Sequence, residues 1–231
     1  MKRIEDLNYK IALMFGEIAN RYDLLNHLLS FGVDFYWRKE LVKAVVFKKT
    51  FTILDLATGT FDVCKELYKH YPYAKVIGID LSLKMMLAGK GKIIDKPFLP
   101  VCGDARAIPL KDESVDGVTI AFGIRNVYPR EEAYKEILRV LIKGGSFYVL
   151  EFGSVKRPIL GGIYNFYLSY LLPKIASILS KKEAYNYLAK SISEFPTSEE
   201  FKEELLRAGF KNAYYKPLSF GIVYLYIAQK S

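Results

Sequence analysis

Residues 51–80, FTILDLATGTFDVCKELYKHYPYAKVIGID, constrain the fold more than any other stretch of the chain. A short apolar run from Phe51 to Leu56 enters a tight turn at Ala57-Thr58-Gly59-Thr60, and a helical pattern follows through Tyr68. A second apolar run, Lys75 to Ile79, stops at Asp80. Two short apolar runs joined by one helix predict a βαβ unit. Such a unit offers unpaired N–H groups at its helix N-terminus and, about 20 residues further on, a carboxylate that can accept from a pair of sugar hydroxyls. The rest of the chain then reads as support for this unit or as a chamber beside it.

The turn excludes several nucleotide cofactors. A dinucleotide fingerprint needs Gly-x-Gly-x-x-Gly, but Gly59 is followed by Phe61 and Cys64, and no Gly-Lys-Ser/Thr phosphate loop is present. Asp55, just before the turn, would repel phosphate and suits a cation such as the ammonium and sulfonium of S-adenosyl-L-methionine. On this reading Asp55 holds the turn and faces the ammonium, Asp80 accepts both ribose hydroxyls, and Ala57, Gly59, Thr60 and Leu81 complete that end of the site. At the end of the next strand, Pro97 to Cys102, Asp104 and the Ala105 N–H are placed to read adenine. Ala121, late in the apolar run Val115 to Phe122, joins the cofactor set.

That run delivers Gly123-Ile124-Arg125-Asn126 to the carboxyl edge of the sheet, where open α/β sheets bind ligands. An Asn/Asp-Pro-Pro-Tyr motif that would grip an amino group is absent there. Glu131 to Leu141 predicts a helix closed by Lys143-Gly144-Gly145, followed by a strand from Ser146 to Phe152. Glu199 to Ala208 predicts a helix capped by Thr197 or Ser198, and Asn212–Leu218 with Ile222–Ala228 an antiparallel pair. Ser82 is placed to cap a helix from Leu83 to Gly89.

The first 47 residues carry apolar positions at helical spacing, including Ile11, Phe15, Ile18, Leu25 and Leu29. They predict a helical cover across the ligand mouth, with a second helix capped by Asp23, with Tyr22 and His27 near the site, and with Trp37 and Arg38 as anchors. The expected organisation is one domain over 1–231: cover 1–47, cofactor-binding core 48–152, helical lid 153–195, and a terminal helix and strand pair 196–231. The lid contains sixteen uncharged residues from Pro158 to Pro173, followed by Lys174, Lys181 and Lys182, a pattern fit for an apolar tunnel and a headgroup layer.

A net charge of +9 asks for an anionic partner or simple solvation, and the lysines form no arginine-rich run and no nucleic-acid module. Cys64 and Cys102 lack metal-ligand spacing and read as buried thiols, so no metal is expected. No apolar stretch follows the basic start MKRIEDLNYK, which predicts a cytoplasmic chain.

Asp55-Leu-Ala-Thr-Gly-Thr resembles the glycine motif of class I S-adenosylmethionine methyltransferases. Asn20 to Asp34, Gly103 to Leu110, Thr119 to Val127, Val149 to Phe152, Ser193-Glu-Phe-Pro and Gly221-Ile-Val look like the menaquinone/ubiquinone C-methyltransferases over nearly the full length. The resemblance implies a Rossmann-like α/β fold, a mostly parallel seven-stranded sheet with helices on both faces and an antiparallel C-terminal pair. It also implies ring-carbon methylation of a polyprenylated quinol, most simply demethylmenaquinol, with S-adenosyl-L-homocysteine as product. Arg125 and Asn126 would then stabilise the developing phenolate, with water or His27 taking the proton and Tyr22 nearby. Family members usually carry glycine where this chain has Phe61, whose ring either points into the sheet or narrows the pocket. A ubiquinone-type benzoquinol substrate, a weakly active scaffold and an RNA methyltransferase stand as alternatives, and a homodimer and peripheral contact with a membrane surface are compatible with the pattern.

Overall fold

A computed structural model describes residues 2–45, 51–153 and 182–231 of the protein, without the side chains of residues 2–6 and 182–185. Seven strands form one sheet: β1 Thr52–Leu56, β2 Lys75–Asp80, β3 Phe98–Cys102, β4 Val115–Ala121, β5 Leu141–Phe152, β6 Asn212–Leu218 and β7 Val223–Gln229, in the order β3-β2-β1-β4-β5-β7-β6. The first five pair in parallel, with Leu54 opposite Ile77 on one side and Val118 on the other. β7 runs antiparallel to β5 and β6. Chain order therefore reverses between β1 and β4, which opens a crevice at their carboxyl ends.

Side-chain alternation builds two cores. Leu54, Leu56, Phe147, Val149, Tyr226 and Ala228 pack with the helices α5 Arg130–Val140 and α7 Ser198–Arg207. Ile53, Tyr148, Leu150, Val223 and Leu225 face the opposite layer, α2 Val33–Ala44, α3 Asp62–His70 and Met86 of α4 Leu83–Gly89. Burial of each large apolar side chain contributes about 1.5–3 kcal/mol. These two faces, more than any one polar contact, hold the layers together. Thr197 caps α7 through a capping box with Glu200, as its Thr-x-x-Glu spacing predicts.

Three expected boundaries change. Residues Lys2–Leu29 form one continuous helix, α1, and Asp23 lies inside it instead of capping a second helix. α5 stops at Val140, and Leu141 is already extended because its fully buried side chain continues the core as β5. Gly144, with φ +76, therefore sits within β5, whose pairing with β4 shifts register between Val115 and Gly117. Ser82 does occupy the position before α4, but its side chain makes no cap hydrogen bond; Asp80 Oδ1 instead accepts the Ser82 N–H at 2.7 Å. Cys64 is buried as expected, whereas Cys102 on edge strand β3 is exposed.

α1 ends in a turn in which Phe31 (φ +52) and Gly32 (φ +76) are left-handed, with Gly32 N–H on the His27 carbonyl and Phe31 N–H on the Leu28 carbonyl. Trp37 then inserts into the second core and donates from Nε1 to Ser219 Oγ at 2.8 Å. The cover is thereby pinned to the sheet's far end, as expected of Trp37. The apolar segment Pro158 to Pro173 lies outside the described residues. α6, Lys182–Ser193, is described and follows it. Among the described residues, no helix is long and apolar enough to cross a membrane.

Candidate active site

A cleft of about 760 Å³, counted with its open mouth, lies over the carboxyl ends of β1, β2, β3 and β4. That size falls in the range of small-molecule sites. Its sheet side is made by Ala57, Gly59, Asp80, Leu81, Asp104, Ala105, Ala121, Phe122, Gly123, Asn126 and Val127, and its roof by Asn8, Ile11, Ala12, Phe15 and Tyr22 of α1. Gly59 (φ +53) is left-handed in the turn, and a Cβ at Gly123 would stand 2.6 Å from the Ala57 Cβ. Only glycine lets these two loops meet at the crevice.

Asp80 is the acceptor at the centre of this wall. Its Oδ2 takes the Gly59 N–H at 2.8 Å and its Oδ1 the Ser82 N–H at 2.7 Å, so the carboxylate both orders the turn and keeps lone pairs for a ligand. Burial pushes its pKa up, opposed by those two N–H donors. Asp104 lies across the cleft. Burial alone would raise its carboxyl, but Arg106 donates from its backbone N–H, Nε and Nη2 at 2.7–3.1 Å and holds it below the usual range. Among the described residues, the cleft wall thus carries two carboxylates and no Lys, Arg or His, in a chain of net charge +9. A cationic, phosphate-free ligand fits such a wall, and a pyrophosphate does not.

Tyr22, Ala57, Gly59, Asp80, Leu81, Asp104, Ala105, Ala121 and Asn126 are brought together as expected. Four other expected site residues lie off this wall. Asp55 points beneath the turn, accepting from Thr119 Oγ1 at 2.7 Å and from the Cys64 thiol at 3.4 Å. Thr60 is buried and donates to Asp23 Oδ1 at 2.5 Å. Arg125 is buried in an ion pair with Glu151, Nη1 to Oε1 2.8 Å, and also donates to the Phe122 carbonyl and to Ser191 Oγ. The sheet thus supplies this arginine with a buried counter-ion, which turns its guanidinium to a structural contact. His27 pairs through Nδ1 with Asp34 at 2.6 Å and stacks on Phe35.

Sequence reading missed the groups that fasten the roof. Asn8 grips the Tyr128 backbone with both ends of its amide, Nδ2 to the carbonyl at 2.6 Å and Oδ1 from the N–H at 3.0 Å. Asp23 also pairs with Lys92 at 2.6 Å, and Lys92 with Asp62 at 2.5 Å; Arg38 joins Asp34 to Asp62. A chain of charges thus ties α1 and α2 to the first turn of α3. Tyr187 of α6 donates to Asn126 Oδ1 at 2.9 Å, which orients that amide. The sequence signal for the roof was the helical spacing that includes Ile11, Phe15 and Ile18, with Tyr22 further along; it did not reach Asn8.

A family model described as the ubiE/COQ5 methyltransferase family matches residues 3–230. The chain belongs to that family. It is 40% identical over 235 residues to a protein of Geobacter sulfurreducens named ubiquinone/menaquinone biosynthesis C-methyltransferase UbiE, covering 100% of this chain and 92% of the relative. It is 39% identical over 230 residues to a demethylmenaquinone methyltransferase of Porphyromonas gingivalis, covering 96% and 94%. Among solved structures, a methyltransferase of Thermotoga maritima described as a possible histamine N-methyltransferase superposes with TM-score 0.70 at 20% identity, over 96% of this chain and 100% of that one. The [4+2]-cyclase SpnF superposes with TM-score 0.72 at 13% identity, over 96% of each chain. Fold alone therefore leaves the chemistry open, and the family membership narrows it to methyl transfer.

Phe61, where the resemblance implies glycine, points away from the cleft. It holds φ +68 at the start of α3 and packs its ring, 2% exposed, edge-on against Phe98 at 4.8 Å. Restoring glycine relieves about 1 kcal/mol of left-handed strain but removes a buried ring whose truncation costs about 3–5 kcal/mol. Phe61→Gly is therefore expected to lower urea stability by about 2–4 kcal/mol while changing S-adenosylmethionine affinity less than about threefold, because the ring does not reach the cleft. A larger affinity change would place Phe61 in the pocket.

Asp55 gives a pH test. Burial, only partly offset by Thr119, Thr58 and Cys64, pushes its carboxyl from 3.8 to about 6. The folded state then binds this proton more tightly than the unfolded chain, so the group's contribution to stability falls as pH rises from about 4 to about 6. Above that window its buried charge costs about 2–3 kcal/mol. Asp55→Asn keeps an acceptor for Thr119 and is expected to be the more stable protein by about 1–3 kcal/mol at pH 7, with the difference vanishing near pH 4. Denaturant titrations at the two pH values check it; an Asn variant less stable at pH 7 would show that Asp55 is stabilising as an anion.

Proposed function

We propose that this chain methylates a ring carbon of a polyprenylated quinol, with demethylmenaquinol as substrate and S-adenosyl-L-methionine as methyl donor. The observation that carries this reading is the cleft wall, which among the described residues has two carboxylates and no basic side chain, roofed by the aromatic rings of Phe15 and Tyr22. Two of the relatives are named demethylmenaquinone methyltransferase, which supports the naphthoquinol over the benzoquinol. When bound, S-adenosylmethionine supplies a methyl group on a positively charged sulfur and leaves as S-adenosylhomocysteine.

The chain's own residues would divide the work as follows. Asp80 holds the ribose hydroxyls, and Gly59 lets the turn approach the ligand. Ala57, Leu81 and Ala121 line the cofactor, and Asp104 with the Ala105 N–H takes the adenine edge. Asn126 has its carbonyl oxygen engaged by Tyr187, so its NH₂ is left to donate to an oxygen of the quinol ring. Tyr22 is a neutral phenol whose pKa burial raises further, with a side-chain hydrogen bond to Asn26 opposing that rise. A neutral phenol and an amide can stabilise charge building on the ring oxygen while the carbon attacks. Arg125 acts one step back, fixing the Ile124–Asn126 turn to Glu151.

Incubating the purified protein with methyl-labelled S-adenosylmethionine and short-chain demethylmenaquinol, its benzoquinol counterpart, or the oxidised quinones tests the reading. Label is expected in the reduced naphthoquinol, since only the quinol ring carbon is electron-rich. Transfer to quinone but not quinol would sink the mechanism, and preferential labelling of the benzoquinol would reassign the substrate.

A further inference from the structure

α6 presents one face to the site. Tyr187, Leu188, Ser191 and Ile192 follow one another at spacings of one, three and one, the repeat of a single helical face. The polar members address the Ile124–Asn126 turn: Tyr187 donates to Asn126 Oδ1 at 2.9 Å, and Ser191 Oγ accepts from Arg125 Nε at 3.3 Å. The apolar members pack with Ile18 and Leu25 of α1. The Tyr187 ring also meets Phe15 of the cleft roof edge-on, with centroids 6.4 Å apart. One helix therefore braces both the roof and the turn that carries Asn126, and Tyr187 is the side chain that touches each.

The Tyr187 hydroxyl fixes what the amide can offer. An asparagine side chain carries an acceptor oxygen and an NH₂ donor, and either could face a ring oxygen. With the Tyr187 proton given to Oδ1, the NH₂ is the group left for the cleft that Asn126 lines. Burial raises the pKa of this phenol, so it keeps the proton it donates. A ring oxygen at Asn126 then meets a donor, which favours its oxyanion over its hydroxyl. Without the Tyr187 hydroxyl the amide is free to turn over and accept the ring O–H, which favours the neutral ring instead. The titratable and charged groups around this corner are Tyr22 on α1, Tyr128 beyond the turn, the paired Arg125 and Glu151, and Asp80 and Asp104 on the cleft wall. Among the described residues that line the cleft none is cationic, so donors, and not a counter-charge, must carry a negative charge on the ring.

We propose that Tyr187 is a positioning residue that makes Asn126 a pure donor, so that the site takes a ring hydroxyl in its ionised form. That form makes the adjacent ring carbon nucleophilic, and its proton passes to solvent at the open mouth of the cleft, so no side-chain base is required. The assignment rests on the reading of the substrate as a quinol and places its activation in the orientation of one amide.

Tyr187→Phe removes the hydroxyl and keeps the ring against Phe15, so the roof stays braced. Spectrophotometric pH titration of α-naphthol bound to the whole chain with S-adenosylhomocysteine reads the ionisation of a ring hydroxyl without any methyl transfer. The ionisation constant of the bound naphthol is expected to be about tenfold lower in Tyr187→Phe than in wild type. Methylation of short-chain demethylmenaquinol is expected to lose about tenfold to a hundredfold in kcat, with KM for S-adenosylmethionine held within about twofold. Neither change should appear when Tyr187→Phe is added to Asn126→Ala, because the hydroxyl acts through that amide. A naphthol ionisation constant that Tyr187→Phe leaves unchanged, a loss that repeats in the Asn126→Ala background, or naphthol that does not bind the wild type would each overturn the proposal. A wild type that ionises bound naphthol through Tyr187 yet labels no quinol would support the positioning role and overturn the substrate reading alone.

Discussion

Asp80→Ala is expected to weaken S-adenosylmethionine binding by about a hundredfold to ten-thousandfold. On the proposed placement the half-buried carboxylate would accept from both ribose hydroxyls, and removing it would delete two charge-assisted hydrogen bonds, each worth about 1.5–3 kcal/mol. It also strands the Gly59 and Ser82 N–H groups, which Asp80 holds at 2.8 and 2.7 Å, so the turn beneath the ligand loosens as well. Asp80→Asn separates the two effects. An amide oxygen can still accept from one backbone N–H but cannot accept from two ligand hydroxyls with both of its atoms, so its loss should be intermediate. Calorimetric titration of the three proteins with S-adenosylmethionine and S-adenosylhomocysteine provides the readout. Equal affinity in wild type and Asp80→Ala would remove the cofactor from this cleft.

Arg125→Met is expected to cost about 3–5 kcal/mol of stability, a fall in Tm of roughly 10 °C. Glu151 has 0% exposure, so losing its guanidinium partner leaves a carboxylate in the core. Burial already raises the Glu151 carboxyl, and Arg125 opposes that rise. In the variant only backbone N–H donors oppose the rise, the folded state gains affinity for a proton relative to the unfolded chain, and the deficit should shrink as pH falls. The double variant Arg125→Met/Glu151→Leu replaces the pair by apolar groups and should recover at least about half of the loss. That protein also separates structure from chemistry. With stability recovered, any loss of kcat that remains reports the placement of the Ile124–Asn126 turn, which the buried pair fixes, whereas full turnover in the double variant would show that neither the guanidinium nor its anchoring of the turn is needed.

What could be read in the residues follows from local rules. The βαβ unit, the acid ending β2, the Asp104-Ala105 pair after β3 and Asn126 after β4 all sit at carboxyl ends of parallel strands, and connectivity alone brings such positions to one crevice. Asp55 shows where that rule needs a second one. It is one residue inside the end of β1, and strand alternation puts it on the face of Ile53, under α3, where Thr119 receives it. The period-two signal was present in TILDL and would have turned Asp55 away from the ligand. Phe61 shows the converse: the sequence left its ring two directions, and Phe98, 37 positions away, supplies the packing partner in the second core.

By itself, then, the sequence determined the order of elements, the face most apolar residues take and the strand ends that line the cleft, because these depend on periodicity and chain connectivity. The tertiary structure decided which charges work and which only hold. Arg125 with Glu151, Thr60 with Asp23, Lys92 with Asp62 and Asn8 with the Tyr128 backbone join residues 26 to 120 positions apart. Pairing of that kind depends on how the layers stack and on the desolvation of each group within them, and neither has a local pattern.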